Sequence, residues 1–261
     1  MTALVRSELQ KLFTTRLWWI MLIVMLLFTG ISLGFLIGFA GVEGAQGAPT
    51  LPGRDTLEFQ RSAWTAGAGS SIFVMVLGII MMTSEYRYQT ITTTFLATPR
   101  RGRVVAAKLL AGLLVGVLFG VAALLLTAAA VIPSVLIAGG ELALTDGGIP
   151  RIMLGVVATS ALYTLFGIGL GALVRNQIAA VVGAIVWVFV IESLLTAIPA
   201  LQEVGKFTPS GAAQSLIAVQ ADTGFGQADL LPSWAGASVL VAYALLFALV
   251  ASLTTVRRDI T

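Results

Sequence analysis

The chain has no histidine and no cysteine, and charged residues fill only 10% of its 261 positions. Each shortage removes a class of activity. Without histidine there is no imidazole general base, no histidine-assisted serine nucleophile and no source of the commonest zinc ligand. Without cysteine there is no disulfide framework, thiol nucleophile or thiolate metal site. No GxxxxGK[ST] run occurs, so the chain offers no P-loop for the phosphates of ATP. A soluble domain carries about 25% charged residues. A chain with so few could not cover a folded core in water.

What is present is apolar. Hydrophobic residues make up 58% of the sequence. Six runs reach the length of about 20 residues that a bilayer crossing needs: 17–41, 63–83, 104–132, 152–174, 178–198 and 235–255. The fold class is an all-α polytopic membrane protein with six transmembrane helices. The first run is too long for a signal-peptide core of about 7–15 residues and reads as a retained span. Run 104–132 is long for one crossing. It either tilts or begins in the headgroup layer with Lys108 snorkelling. No polar stretch is long enough to fold independently and no internal repeat is visible, so residues 1–261 form one membrane domain.

Orientation follows from the basic residues. Between the second and third runs, Arg87, Arg100, Arg101, Arg103 and Lys108 stand against a single acid, Glu85. An Arg or Lys costs roughly 2.5–3.5 kcal/mol at the centre of a membrane helix, and short basic loops stay cytoplasmic. Both termini are then cytoplasmic, bringing Arg6, Lys11, Arg16, Arg175, Arg257 and Arg258 to the same side. Only Arg54, Arg61, Arg151 and Lys206 remain outside. The formal net charge of +3 is thereby explained by loops facing anionic lipid headgroups, with no nucleic acid partner required.

Residues 1–16 place Val5, Leu9, Leu12 and Phe13 on one helical face and Arg6, Gln10, Lys11 and Thr14 on the other. That pattern suits a short helix lying flat in the headgroup layer; the alternative is a plain extension of the first span. Trp18 and Trp19 follow where an interfacial aromatic belt belongs. Outside, 42–62 contains Pro49 and Pro52 and reads as an irregular loop. Segment 199–233 is broken by Pro199, Pro209 and Pro232. It holds a mildly apolar piece too short to span, of the kind that lies on the surface or dips in and returns.

Small residues recur every fourth position in the spans: Gly30, Gly34 and Gly38; Gly112, Gly116 and Gly120; Gly167 and Gly171; Ala179 and Gly183. They let helices approach closely in lipid, as a dimer seam, as sliding surfaces of a gate, or as generic packing. Glu192 is the one acid well inside a span. It reads either as a polar cavity for a cationic or protonating group, or as a carboxylate near the outer boundary within reach of water or an outer-loop donor. The loop 84–103 also divides two ways. Charge alone would make it an orientation signal that binds headgroups. Its Ile91, Phe95 and Leu96 instead describe an apolar patch rimmed by polar residues, which suits docking.

At this loop the sequence resembles the permease subunits of ABC-2-type transporters. There an acid ends the second span, followed by a basic or aromatic residue and a Gly-Thr-Ile-like turn. A Leu-x-x-Pro, a basic cluster and an Ala-Lys entering the third span complete the pattern. Glu85, Arg87, Thr90, Ile91, Leu96, Pro99, Arg100, Arg103, Ala107 and Lys108 match it, and Gln89 stands where glycine is common. The resemblance implies a coupling helix in 84–103. Glu85, Arg87, Tyr88, Thr90, Ile91, Phe95, Leu96, Pro99, Arg100 and Arg101 would meet a cytosolic ABC ATPase. It also implies a connecting helix at 1–16 and a re-entrant outer helix near 208–221. Two permeases, copies or homologues, would pair with two ATPases that hold ATP and Mg, leaving this chain without cofactor or catalytic site. The function implied is export of a hydrophobic or amphipathic compound across the plasma membrane. Two other classes stay open. One is an ion-gradient-driven carrier, which needs ion-coordinating groups at mid-membrane. The other is a non-transporting scaffold or immunity protein that recruits a cytosolic factor.

Overall fold

The computed structural model describes residues 1–42, 51–89, 101–174, 176–217 and 230–254, and they are helical throughout their regular parts. A short helix α1 (Thr2–Phe13) leads into α2 (Leu17–Gly38). Next come α3 (Leu57–Trp64), one turn of α4 (Ala66–Gly69) and α5 (Ser71–Arg87). Helix α6 (Arg101–Ile137) is followed by α7 (Ile149–Val174) and α8 (Gln177–Val186). A π-helical turn at Trp187–Ile191 joins α8 to α9 (Glu192–Ala197). Short helices α10 (Gln202–Gly205) and α11 (Pro209–Ile217) precede α12 (Ser233–Thr254).

Five helical stretches among the described residues are long and apolar enough to cross a bilayer: Leu17–Gly38, Leu57–Arg87, Gly102–Ile137, Ile149–Val174 and Gln177–Leu195. The apolar α12 follows them. The second stretch begins earlier than the apolar run indicates, because part of the expected irregular loop 42–62 is helix α3. Thr56 caps it, its hydroxyl accepting from the Phe59 backbone N–H at 3.2 Å, and Glu58 lies in the first turn. Both features stabilise a helix start. Helix α6, at 37 residues, is about 55 Å long and exceeds a hydrocarbon core of about 30 Å even with tilt.

Helix α7 occupies the centre, packed by α5, α6, α11 and α12. Glycine makes that possible. A Cβ on Gly116 would sit 2.5 Å from the Ala161 Cα, and one on Gly120 would sit 2.8 Å from the Val157 Cα. Gly167 lies against the Met75 carbonyl and Gly171 against that of Ile79, while Gly78 answers from α5 against Thr164. The stripes on α6 and α7 are thus seams at which backbones touch. The stripe on α2 differs: nothing lies within 4 Å of a Cβ on Gly34 or Gly38. Hydroxyl pairs add polar links between helices, Thr29 with Ser70 at 2.6 Å and Ser71 with Ser160 at 3.3 Å.

Chain direction gives the bundle two unlike ends. At one, the α6–α7 connection turns through Gly147 and Gly148, both at positive φ, and is held by α3. There Gln60 donates to the Glu141 carbonyl at 2.8 Å and accepts from the Ala143 N–H at 3.1 Å, and Arg61 donates to the Gly147 carbonyl. At the other end α5 finishes, α6 begins and α1 packs across both.

Candidate functional site

Helix α1 is fixed to the bundle by one face. Leu12 is buried, and Val5 and Leu9 pack with it onto Met25 of α2, Leu77 and Met81 of α5, and Ala111 and Val115 of α6. Phe13, expected on that face, is exposed and meets Trp18 edge-on at 5.0 Å. Its place is taken by Glu8, one turn before Leu12, which is 6% exposed. The apolar stripe therefore carries a carboxylate into the protein.

That carboxylate enters a buried ion network. Glu8 accepts from Lys108 of α6 at 2.5 Å and from Lys11 at 2.6 Å. Glu85, in the last turn of α5 and also 6% exposed, accepts from Lys11 at 2.9 Å and Lys108 at 3.1 Å. Lys108 additionally donates to the Met81 carbonyl at 3.3 Å. With 2% of its surface exposed, Lys108 does not snorkel as expected. Two carboxylates within reach hold the ammonium inside, and a lysine so paired has no reason to seek headgroups. Burial pushes the Glu8 carboxyl up, but Lys108 and Lys11 outweigh it and hold it below the usual carboxylate range. Burial likewise works against the Lys11 ammonium. The hydrogen bonds it donates to Glu8 and Glu85 overcome this and raise the lysine above its ordinary value.

The network ties α1 to the end of α5 and the start of α6, the two helices that flank residues 90–100 in sequence. Glu85 stands shortly before that stretch and Lys108 shortly after. Of the expected coupling residues, Glu85 is thus a network member. Arg87 and Tyr88 are exposed, with the guanidinium 5.7 Å from the Tyr88 ring centre. Arg87 also donates to Gln177, at the start of α8, at 3.4 Å. Gln89 has φ 54°, the left-handed region. It sits just past the α5 C-cap, where glycine ends helices most easily, so glycine's usual geometry at this place is kept by a residue that pays strain for it. Thr90, Ile91, Phe95, Leu96, Pro99 and Arg100 lie outside the described residues, and Arg101 opens α6.

Glu192 belongs to a second, separate site. It is 3% exposed and follows the π turn. One oxygen accepts from the Trp187 indole N–H at 2.8 Å, the other from the Ser210 backbone N–H at 3.1 Å. Ser210 is in the first turn of α11, where backbone N–H groups lack helical partners, so the carboxylate fastens that helix to α9. Beside it an apolar cavity of about 350 Å³ runs between α7, α8 and α12, walled by Phe166, Trp187, Tyr243 and Phe247.

A family model described as ABC-2 family transporter protein matches residues 4–192, from α1 through the π turn. The chain belongs to the ABC-2 family of transporter proteins. Comparison with individually characterised proteins gives no significant match. This ABC-2 chain is a multi-pass membrane protein of the permease type, and such permeases associate with ABC ATPase subunits in general. The match takes in the whole ion network, since Glu8, Lys11, Glu85 and Lys108 all lie inside it.

Sequence reading identified Glu85 and Lys108 individually but missed their meeting with Glu8 and Lys11. One signal was available: Glu8 lies on the same helical stripe as Val5 and Leu12, an expensive place for an unpaired acid.

Proposed function

We propose that the chain is the transmembrane permease subunit of an ATP-driven ABC exporter that moves a hydrophobic or amphipathic compound across the plasma membrane. In this reading it crosses six times, with α12 last and both termini cytoplasmic. Segment 199–233, including α11, is re-entrant from the outside. The permease pairs with a second copy or homologue and with two cytosolic ATPases. ATP and Mg belong to those ATPases, as does hydrolysis, and this chain is not an enzyme.

The observation that carries the reading is the ion network. A coupling loop at 84–103 transmits force only if the helices that carry it move together. Glu85 at its start and Lys108 just past its end are bound to each other and to α1 through Glu8 and Lys11. Displacement of the loop 84–103 by an ATPase would therefore shift α5, α6 and the connecting helix α1 as one piece. The aromatic-walled apolar cavity supports a hydrophobic cargo. The carrier alternative leans on Glu192, whose two oxygens are engaged by Trp187 and Ser210, which favours a fastening role.

The test is reconstitution with a cognate ABC ATPase in proteoliposomes, measuring ATP-dependent flux of an amphipathic dye. Wild type should co-purify with the ATPase and transport. Ile91→Asp and Phe95→Asp should insert normally and lose both, because an unpaired charge in an apolar groove is costly. Flux that runs without the ATPase on an ion gradient would overturn the assignment. Normal coupling in both variants would remove the docking role from the loop.

A further inference from the structure

At the end of the bundle where α1 crosses α5, a cavity of about 370 Å³ opens between α1, α2, α5 and the start of α8. Four cations line it, Lys11, Arg16, Arg87 and Lys108, against two carboxylates, Glu8 and Glu85. The ion network commits both carboxylates to the two lysines. Arg16 and Arg87 remain. Both are exposed, and among the described residues neither reaches a carboxylate. The cavity thus holds an excess of two positive charges in guanidinium form, the geometry that grips phosphate oxygens in pairs.

An independent feature points the same way. The 22-residue helix α2 starts at the cavity wall with Arg16 as its N-cap. No side chain caps this end and no acidic residue lies in its first turn. Its free backbone N–H groups and the positive end of its dipole add to the field of the two arginines. Beside the polar Thr15, Ser84 and Gln177, the wall has an apolar part made by Leu12, Leu17, Ile80 and Met81. A small inorganic anion gains nothing from such a wall, whereas the glycerol and upper acyl carbons of a lipid do.

We propose that this cavity binds the phosphate headgroup of an anionic phospholipid, with Arg16 and Arg87 gripping the phosphate beside the first turn of α2. A lipid seated there touches α1, α2, α5 and α8 together, so membrane composition becomes a ligand for the ion-network end of the protein. The inference does not depend on pairing with an ATPase, and the permease alone suffices to test it.

The experiment is native mass spectrometry of the detergent-purified chain titrated with phosphatidylglycerol or phosphatidylcholine. Each arginine is expected to contribute about fivefold and the two about thirtyfold in preference for the anionic lipid. Arg16→Gln and Arg87→Gln should each lose about fivefold, and the double variant should bind both lipids equally. Arg61→Gln with Arg151→Gln, at the opposite end, should keep the wild-type preference. The single variants carry the test if the double one proves unstable. Undiminished phosphatidylglycerol preference in both single variants overturns the site. Displacement of bound lipid by millimolar inorganic phosphate, without preference between the two lipids, overturns the lipid assignment in favour of a soluble anion.

Discussion

The Glu8 carboxylate and the Lys108 ammonium meet at 2.5 Å although one hundred positions of chain separate them. A flat amphipathic helix at a membrane surface is ordinarily held by its apolar face and can slide. Here α1 is keyed in place by two charges, Glu8 bound to Lys108 of α6 and Lys11 bound to Glu85 of α5.

Removing one partner should show this. Glu8→Gln leaves Lys108 with Glu85 alone, and Lys108→Met leaves two carboxylates sharing Lys11. Breaking a buried pair from one side costs about 3–5 kcal/mol, and because one partner remains in each case a loss of about 2–3 kcal/mol is expected. The double replacement should cost less than the two singles together. Thermal unfolding in detergent measures all three, and strictly additive losses would deny the pairing.

The network also sets a pH response. Glu8 is held below its ordinary value of 4.5 when folded, so its contribution is complete above that value and drains as pH falls through the lower folded one. Lys11 is raised above 10.5, so its contribution is complete below that value and is lost as pH rises past it. A spin-label pair at positions 10 and 103 should hold one distance across neutral pH and separate in acid. With Glu8→Gln the acid limb should flatten. An unchanged acid limb in that variant would place the titrating group elsewhere.

Gln89 at φ 54° offers a gain rather than a loss. Gln89→Gly should raise stability by about 1 kcal/mol by removing left-handed strain, and Gln89→Val should lower it, since a branched side chain suffers most there. The melting temperature decides, and a destabilising glycine would mean that the glutamine side chain contributes more than the strain costs.

The glycine stripes should separate under alanine. Gly116→Ala and Gly167→Ala press a methyl into the backbone of a neighbouring helix and should cost about 2 kcal/mol or more. Gly34→Ala meets open space and should be neutral within about 0.5 kcal/mol. Expression level and thermal stability of the three variants test the contrast, and a damaging Gly34→Ala would indicate a partner on that face.

Much of the architecture was legible because hydropathy reports membrane helices almost directly. The runs at 17–41, 152–174 and 178–198 correspond to α2, α7 and the α8–α9 helix with little shift. Helix α3 was hidden because its polar residues Glu58, Gln60 and Arg61 break the apolar run, while Phe59, Ala63 and Trp64 still bury at helical spacing. The π turn left no mark in composition. The ion network stayed invisible for a different reason: each of its charges looked explicable alone, and their convergence is a property of how α1 lies across two helices distant in sequence.

The central helix has one last consequence. Around α7 the backbones of α5 and α6 come into contact at Gly78, Gly116, Gly120, Gly167 and Gly171, so the three behave as a keel that shifts whole or not at all. The flanks are built otherwise: α2 and α8 bury little of their surface and turn Gly34, Gly38 and Gly183 to empty space. Any change of shape must then be a swing of the flanks about the keel. Substitutions that loosen motion and those that unfold the protein should accordingly fall on opposite sides of the same bundle.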